Sequence, residues 1–85
     1  MGLGHDRPMS SLPRTVATNL RRRRNELGLS QDAVADKADL HRTFVGAVER
    51  EEKNVTIRSL GRLAEALEIE AWRLLAPHLG RDEHD

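Results

Sequence analysis

The segment at residues 41–50, HRTFVGAVER, carries side chains suited to hydrogen bonding with the edges of DNA bases. A helical wheel turns its two valines inward with Glu49 beside them. The outward face holds Arg42, Thr43, Gly46, Ala47 and Arg50. Arginine can donate twice to guanine O6 and N7, threonine offers a hydroxyl and a methyl group, and small residues let base edges approach. This segment is therefore predicted to be a reading helix for the DNA major groove.

The preceding residues predict a second helix and a bend that position the reading helix. The Ser30 hydroxyl can accept a hydrogen bond from a free amide in the first turn of that second helix. Ala35 is small at the place where the following helix must cross closely. The bend falls at residues 38–40, where Asp39 is one of the few non-glycine residues that tolerate a positive φ.

Three further helices complete a predicted all-α fold of five helices. The first helix covers about residues 13–27, and Gly28 ends it. The fourth helix begins after its cap residue, Thr56. Its apolar side is predicted to hold Ile57, Leu60, Leu63, Ala64 and Leu67. The fifth helix is predicted at about residues 71–79, where Pro77 would kink or end it.

A length of 85 residues predicts one small domain. Because only 2% of these residues are aromatic, the core is expected to be aliphatic. We expect a flexible arm at residues 1–12, a DNA-binding and dimerisation domain at 13–79 and an acidic tail at 80–85.

The absence of cysteine excludes disulfides and thiolate ligands, and the four histidines are too scattered to pair around a metal. No cofactor or small-molecule ligand is expected. No apolar run has membrane-spanning length and no signal core precedes Met9, which predicts a cytoplasmic protein.

The formal net charge is zero, but the charge is unevenly distributed along the chain. Residues 1–50 hold nine Lys and Arg against six Asp and Glu, a net of +3. Residues 51–85 hold five against eight, a net of −3. The half that contains the reading helix is therefore basic, as a DNA partner requires. The four arginines at 21–24 cannot share one helix face, so we expect a largely hydrated run with at most two facing one phosphate strand.

Residues 30–69 resemble the helix-turn-helix domain of Xre-type, phage-repressor-like regulators. The resemblance rests on L-S-Q before the second helix, A-x-x-A-x-L at the bend and V-x-x-V-E-R at the end of the third. HRTFVGAVER followed by KNVTIRSLGRL is particularly similar to controller proteins of restriction-modification systems, which are small dimeric regulators of their own operon. The resemblance implies a homodimer that binds a near-palindromic operator in double-stranded DNA.

The resemblance also implies roles for individual residues. The Gln31 position holds a phosphate and orients the reading helix, whose base-facing positions are Arg42, Thr43, Gly46 and Ala47. The expected contacts to phosphates or to the flanks of the reading face are Gln31, His41, Phe44, Arg50, Lys53 and Asn54. Phe44 has two open alternatives, a thymine methyl contact or packing on the second helix. His41 stands where relatives often have a capping Ser or Thr, and because imidazole caps poorly we expect it to reach a phosphate.

Two regions leave alternatives open. Glu51 and Glu52 follow the reading helix where many relatives have glycine or asparagine, so the loop shape is not fixed by the pattern. Trp72, Leu75 and Leu79 form an apolar stripe that we expect to mediate dimerisation, with Trp72 either an interface anchor or a core residue.

An antitoxin-type protein whose main partner is another protein is the alternative function. The sequence shows no constellation of catalytic residues, so no enzyme is expected.

Overall fold

The computed structural model describes residues 12–77. The five helices are α1 (Leu12–Glu26), α2 (Gln31–Ala38), α3 (Phe44–Glu49), α4 (Ile57–Leu67) and α5 (Ala71–Leu75). Residues 12–77 contain no strand, and the predicted all-α fold of five helices is confirmed. Within the same range, no helix is long and apolar enough to cross a membrane. The expectations for residues 1–11, for the acidic tail and for Leu79 lie outside the described residues.

The local signals that begin and end the helices are those the sequence predicted. The Ser30 hydroxyl accepts from the Ala33 amide at 3.0 Å at the start of α2. Thr56 begins α4 with a reciprocal pair of hydrogen bonds: the Ser59 amide donates to the Thr56 hydroxyl at 3.0 Å, and the Thr56 amide donates to the Ser59 hydroxyl at 2.8 Å. Asp39 ends α2 in the left-handed region, with φ of 58°. These short-range bonds fix where α2 and α4 begin and where the bend before α3 lies.

The core is aliphatic and lies where all five helices meet. Helix α1 packs on α3 and α5, while α2 packs on α3 and α4. The largest fully buried side chains are Leu20, Leu63, Leu67, Leu74, Val34 and Val45. Ile57 has the predicted apolar spacing of α4 but lies outside this core, because it is 89% exposed. Ile57 is the first residue of α4 and lies at the edge of a groove instead of under another helix.

The fifth helix is shorter than predicted. It ends at Leu75, and Ala76 adopts an extended conformation, with φ −83° and ψ 134°. Pro77 disfavours helical backbone at the residue before it, which explains the early end. The Asn19 side chain of α1 donates to the carbonyls of Arg73, Leu74 and Ala76 at 3.0, 3.1 and 2.8 Å. This buried asparagine, which the sequence analysis did not single out, fastens the end of α5 to α1.

Candidate nucleic-acid interface

The reading helix begins three residues later than predicted. Helix α3 starts at Phe44, and residues 42–43 form a turn before it. The His41 ring bonds back to Thr43, with Nδ1 accepting from the Thr43 amide at 3.2 Å and lying 2.8 Å from the Thr43 hydroxyl oxygen. The Phe44 amide also bonds to the His41 carbonyl at 2.9 Å. The prediction of helix from His41 onward is therefore wrong, and His41 is engaged at the turn.

The outer face of α3 and its preceding turn is partly what the helical wheel predicted. Arg42 and Thr43 are exposed, and Ala47 is half-buried. Gly46 is buried, so the prediction that it faces outward is wrong. A Cβ atom at Gly46 would lie 2.9 Å from Gln31 Oε1 and 3.1 Å from an Arg50 guanidinium nitrogen. The ends of these two side chains cover the Gly46 backbone, so a larger residue at this position would displace them.

The inner face of α3 is held by a buried charged group that we call the Glu49 cluster: Glu49, Arg24, Arg21 and Gln31. Arg24 Nε lies 2.7 Å from Glu49 Oε2, and Arg24 Nη2 donates to Oε1 at 3.0 Å. Gln31 Nε2 donates to the same Oε1 at 3.0 Å. Arg21 donates to the Glu49 carbonyl at 3.1 Å and lies 3.4 Å from its carboxylate. Helices α1 and α2 thus both bind the last residue of α3.

The Glu49 cluster changes the acid–base properties of its members. Burial disfavours the charged carboxylate, and it is the largest single influence on the pKa of Glu49. The hydrogen bonds from Arg24 and Gln31, with the charges of Arg24 and Arg21, together outweigh burial and lower that pKa. The hydrogen bond to Glu49 raises the pKa of Arg24, against the opposing effect of burial. Both groups are therefore charged at neutral pH, and each satisfies the other inside the fold.

The expectation of a largely hydrated arginine run is wrong for Arg23 and Arg24, whose side chains are mostly buried, while the Arg21 side chain is 52% exposed. Arg24 is 14% exposed in its side chain and belongs to the Glu49 cluster together with Arg21. Arg23 donates to the Leu67 carbonyl at 2.9 Å, at the end of α4. Arg22 is exposed. Three of the four arginines therefore connect α1 to α3 or α4, which explains why they are adjacent although they cannot share one face.

A residue of α4 holds the bend between α2 and α3. Arg62 donates to the Asp39 carbonyl at 3.1 Å, and its guanidinium lies 3.6 Å from the Asp39 carboxylate. Asp39 is the left-handed residue at that bend. No local pattern in the sequence indicates this role of Arg62, because the contact joins residues 23 positions apart.

The loop after α3 takes the left-handed shape that glycine or asparagine adopts most easily. Glu51 has a φ of 62°, in the left-handed region. Its amide bonds to the Val48 carbonyl at 2.9 Å, and the Glu52 amide bonds to the Ala47 carbonyl at 2.8 Å. Arg50 forms an exposed ion pair with Glu52 at 3.1 Å. The chain thus ends α3 in the usual way with a residue that disfavours this conformation.

The remaining predicted contact residues lie at the edges of this surface. Phe44 is half-buried and packs against the core, which was one of its two alternatives. Lys53 and Asn54 are exposed and line an apolar groove of about 290 Å³ between the start of α1, the start of α4 and α5. Gln31 faces α3, where it contacts Glu49.

Large apolar side chains are exposed along that groove and on α5. We call this set the apolar patch: Leu12, Ile57, Trp72 and Leu75. Trp72 is 58% exposed, so the alternative that made it a core residue is wrong. The Arg73 guanidinium lies 4.8 Å from the centre of the Trp72 ring. Leu75 also lines the groove, which joins the α5 part of the patch to Ile57.

Comparison with known proteins gives a family for this arrangement. Residues 20–71 match the helix-turn-helix family HTH_3. Over 60 residues the chain is 47% identical to the control protein C.SmaI of Serratia marcescens, with 71% of each protein covered. The crystal structure of a hypothetical transcription factor from Neisseria has a TM-score of 0.79 and 37% identity, covering 82% of this chain and 80% of that one.

A third relative has been solved with DNA. The restriction-modification controller protein C.Esp1396I, as a tetramer in complex with its natural 35-base-pair operator, has a TM-score of 0.69 and 32% identity. The match covers 74% of this chain and 83% of that protein. At these identities and coverages the likeness extends beyond the fold. This chain belongs to the helix-turn-helix family that includes the restriction-modification controller proteins.

Proposed function

We propose that this protein is a sequence-specific DNA-binding transcription regulator. It acts as a homodimer on a near-palindromic operator, as a restriction-modification controller protein that regulates its own operon. The single observation that carries the proposal is an exposed polar turn before a helix whose end is fixed inside the fold. Arg42 and Thr43 are exposed and able to meet base edges, while the Glu49 cluster fixes the end of α3 to α1 and α2.

The chemistry of the exposed residues supports a role in DNA reading. The Arg42 guanidinium can donate to two acceptors of guanine, and the Thr43 hydroxyl lies next to it along the chain. Arg50, Lys53 and His41 add positive or polar groups suited to phosphates. The operator complex of the related C.Esp1396I supports the same class of partner for this chain.

The apolar patch supports self-association. Four large apolar side chains are exposed, three of them along one groove, and a tryptophan among them is typical of an interface anchor. A second copy related by a twofold axis would cover the patch and place two reading helices about one DNA turn apart. Trp72 and Leu75, together with Leu79 beyond the described residues, remain our proposed dimerisation residues, and Ile57 joins them.

The other features of the proposal follow from this assignment. The relatives described above are controller proteins and a transcription factor, and they do not support the antitoxin alternative. The proposed activity includes no catalytic step and no cofactor. A transcription regulator acts where its DNA is, so we place it in the cytoplasm.

Selection of bound oligonucleotides from a random pool tests the proposed function. The purified protein should enrich a near-palindromic consensus whose two halves lie about one DNA turn apart. Enrichment of a single half-site would contradict the dimer, and the absence of any consensus at moderate salt would contradict sequence reading altogether.

Sedimentation tests the dimer separately. Trp72→Ala and Ile57→Thr should give monomers at protein concentrations where the parent is a dimer, because each removes apolar area from the patch. Lys37→Ala, at an exposed position on α2, is the matched control and should remain dimeric. A monomeric parent, or two patch variants that dimerise as the parent does, would show that this surface is not the interface.

A further inference from the structure

The hydrogen bonds between His41 and Thr43 determine the position of the imidazole proton. The Thr43 amide lies 3.2 Å from His41 Nδ1 and is oriented to donate to it. A backbone amide can donate but cannot accept. His41 Nδ1 must therefore carry a lone pair, which places the proton of the neutral ring on Nε2.

The same lone pair determines the direction of the Thr43 hydroxyl. Thr43 Oγ1 lies 2.8 Å from His41 Nδ1. Since Nδ1 has no proton to offer, the hydroxyl must be the donor in this contact. The hydroxyl proton is thus directed at the ring, and the Thr43 oxygen has only lone pairs left for any other partner.

We propose that His41 is a specificity-determining residue that makes Thr43 an acceptor-only group. A free threonine hydroxyl rotates and can donate to a base or accept from it. With its proton taken by His41, the Thr43 hydroxyl can hydrogen-bond only to a base that donates in the major groove, which means adenine through its N6 amino group or cytosine through its N4 amino group. Thymine O4 and guanine O6 are acceptors, so they would face the Thr43 oxygen without a proton between them.

The surroundings of the pair fit this role. Both His41 and Thr43 are exposed, so a base edge can approach the hydroxyl. The Phe44 amide bonds to the His41 carbonyl at 2.9 Å, which holds the backbone of the turn. The Thr43 side chain makes no capping bond to α3, so its hydroxyl is not needed to begin the helix. His41 therefore acts through Thr43 instead of contacting the base itself.

The inference rests on the proposed function, and four proteins test it: the parent, His41→Ala, His41→Asn and Thr43→Val. Each is titrated at one salt concentration with duplexes that carry all four base pairs at every position of the selected consensus. Thr43→Val removes the hydroxyl and identifies the position that Thr43 reads. At that position the parent should favour adenine or cytosine roughly fivefold over thymine and guanine, as one hydrogen bond allows.

His41→Ala should reduce that preference to within about twofold, because the freed hydroxyl can then donate or accept. His41→Asn should retain it, because an asparagine side-chain oxygen can take the place of Nδ1 as the acceptor. Circular dichroism serves as the control for folding. A preference at other positions that stays unchanged in His41→Ala would show that the effect is specific to Thr43.

Three results would overturn the inference while leaving the proposed function intact: a parent that favours thymine or guanine at the Thr43 position, a His41→Ala protein with the full parental preference, or a Thr43→Val protein with an unchanged selectivity at every position. Loss of the preference in His41→Asn would also overturn it. A parent that binds all sequences equally would instead contradict the proposed function itself.

Discussion

The polar groups on the inner side of α3 are bonded within the fold, whereas those at the outer side and its preceding turn are exposed. On the inner side the Glu49 side chain is 1% exposed and accepts hydrogen bonds from α1 and α2. On the outer side Arg42 and Thr43 are exposed at the turn that precedes the helix. A helix of six residues is too short to be stable by itself. The position of the exposed residues therefore depends on the contacts that hold Glu49 inside the fold.

The arginines likewise differ in whether their guanidinium groups have partners within the fold. Arg24 and Arg21 bind Glu49, and Arg23 binds the end of α4. Arg42 lies on the exposed turn before α3. A run of arginines in a sequence is therefore weak evidence for a DNA contact, since what matters is whether the guanidinium groups have partners within the fold.

The largest expected effect is on the inner side. Glu49→Ala removes the carboxylate that accepts from the Arg24 guanidinium and the Gln31 amide, and removing one partner of a buried ion pair costs roughly 3 to 5 kcal/mol of unfolding free energy. Urea denaturation followed by circular dichroism measures it. Glu65→Ala, at an exposed position on α4, is the control and should change stability by less than about 0.5 kcal/mol. A loss below about 1 kcal/mol in Glu49→Ala would contradict the structural role of the cluster.

The next effect is on the outer side. Arg42→Ala should cost roughly 1 to 3 kcal/mol of binding free energy on the selected operator, with nonspecific affinity and folding stability nearly unchanged. Competition titrations with operator and scrambled duplexes measure both affinities. Arg22→Ala removes an exposed arginine of α1 and should leave the operator affinity close to that of the parent. An equal loss on all sequences would assign Arg42 to phosphates instead of bases.

The sequence predicted the features that depend on neighbouring residues. The Ser30 cap, the left-handed Asp39 and the apolar spacing of α4 are short-range patterns, and the structure has all of them except the burial of Ile57. Burial of Gly46 could not be predicted, because it depends on where the Gln31 side chain of another helix lies. The contacts of Asn19 and Arg62 join residues far apart in the sequence, for which a single chain offers no periodic signal.

A smaller expected effect is the loss of folding stability at acidic pH. The pKa of Glu49 in the folded protein lies below its ordinary value of 4.5, so the unfolded chain binds this proton first as the pH falls. The stability that the Glu49 charge contributes is complete above about pH 4.5 and is lost as the pH drops through the folded pKa. Urea midpoints of the parent and of Glu49→Gln, measured from pH 7 down to pH 3, should converge toward the acid end. Parallel pH profiles would contradict the lowered pKa.

The smallest expected effect is on the unfolding free energy when either of two glutamates with the same backbone strain is replaced. Glu51 follows α3 and Glu68 ends α4, with φ values of 62° and 59°. Replacing either by glycine should raise the unfolding free energy by about 0.5 to 1 kcal/mol, since the relief of left-handed strain exceeds the added flexibility of the unfolded chain. Urea denaturation should therefore not distinguish the two variants.

DNA affinity should distinguish these variants, because Glu51 lies next to Arg50 at the end of the reading helix and Glu68 lies at the end of α4. Glu51→Gly removes a negative charge near the proposed phosphate path, so its affinity for the operator should rise, more at low salt than at high salt. Glu68→Gly should bind as the parent does. Because both substitutions relieve the same strain, a gain shared by the two variants would be due to stability, while a gain confined to Glu51→Gly would place its carboxylate in the field of the DNA.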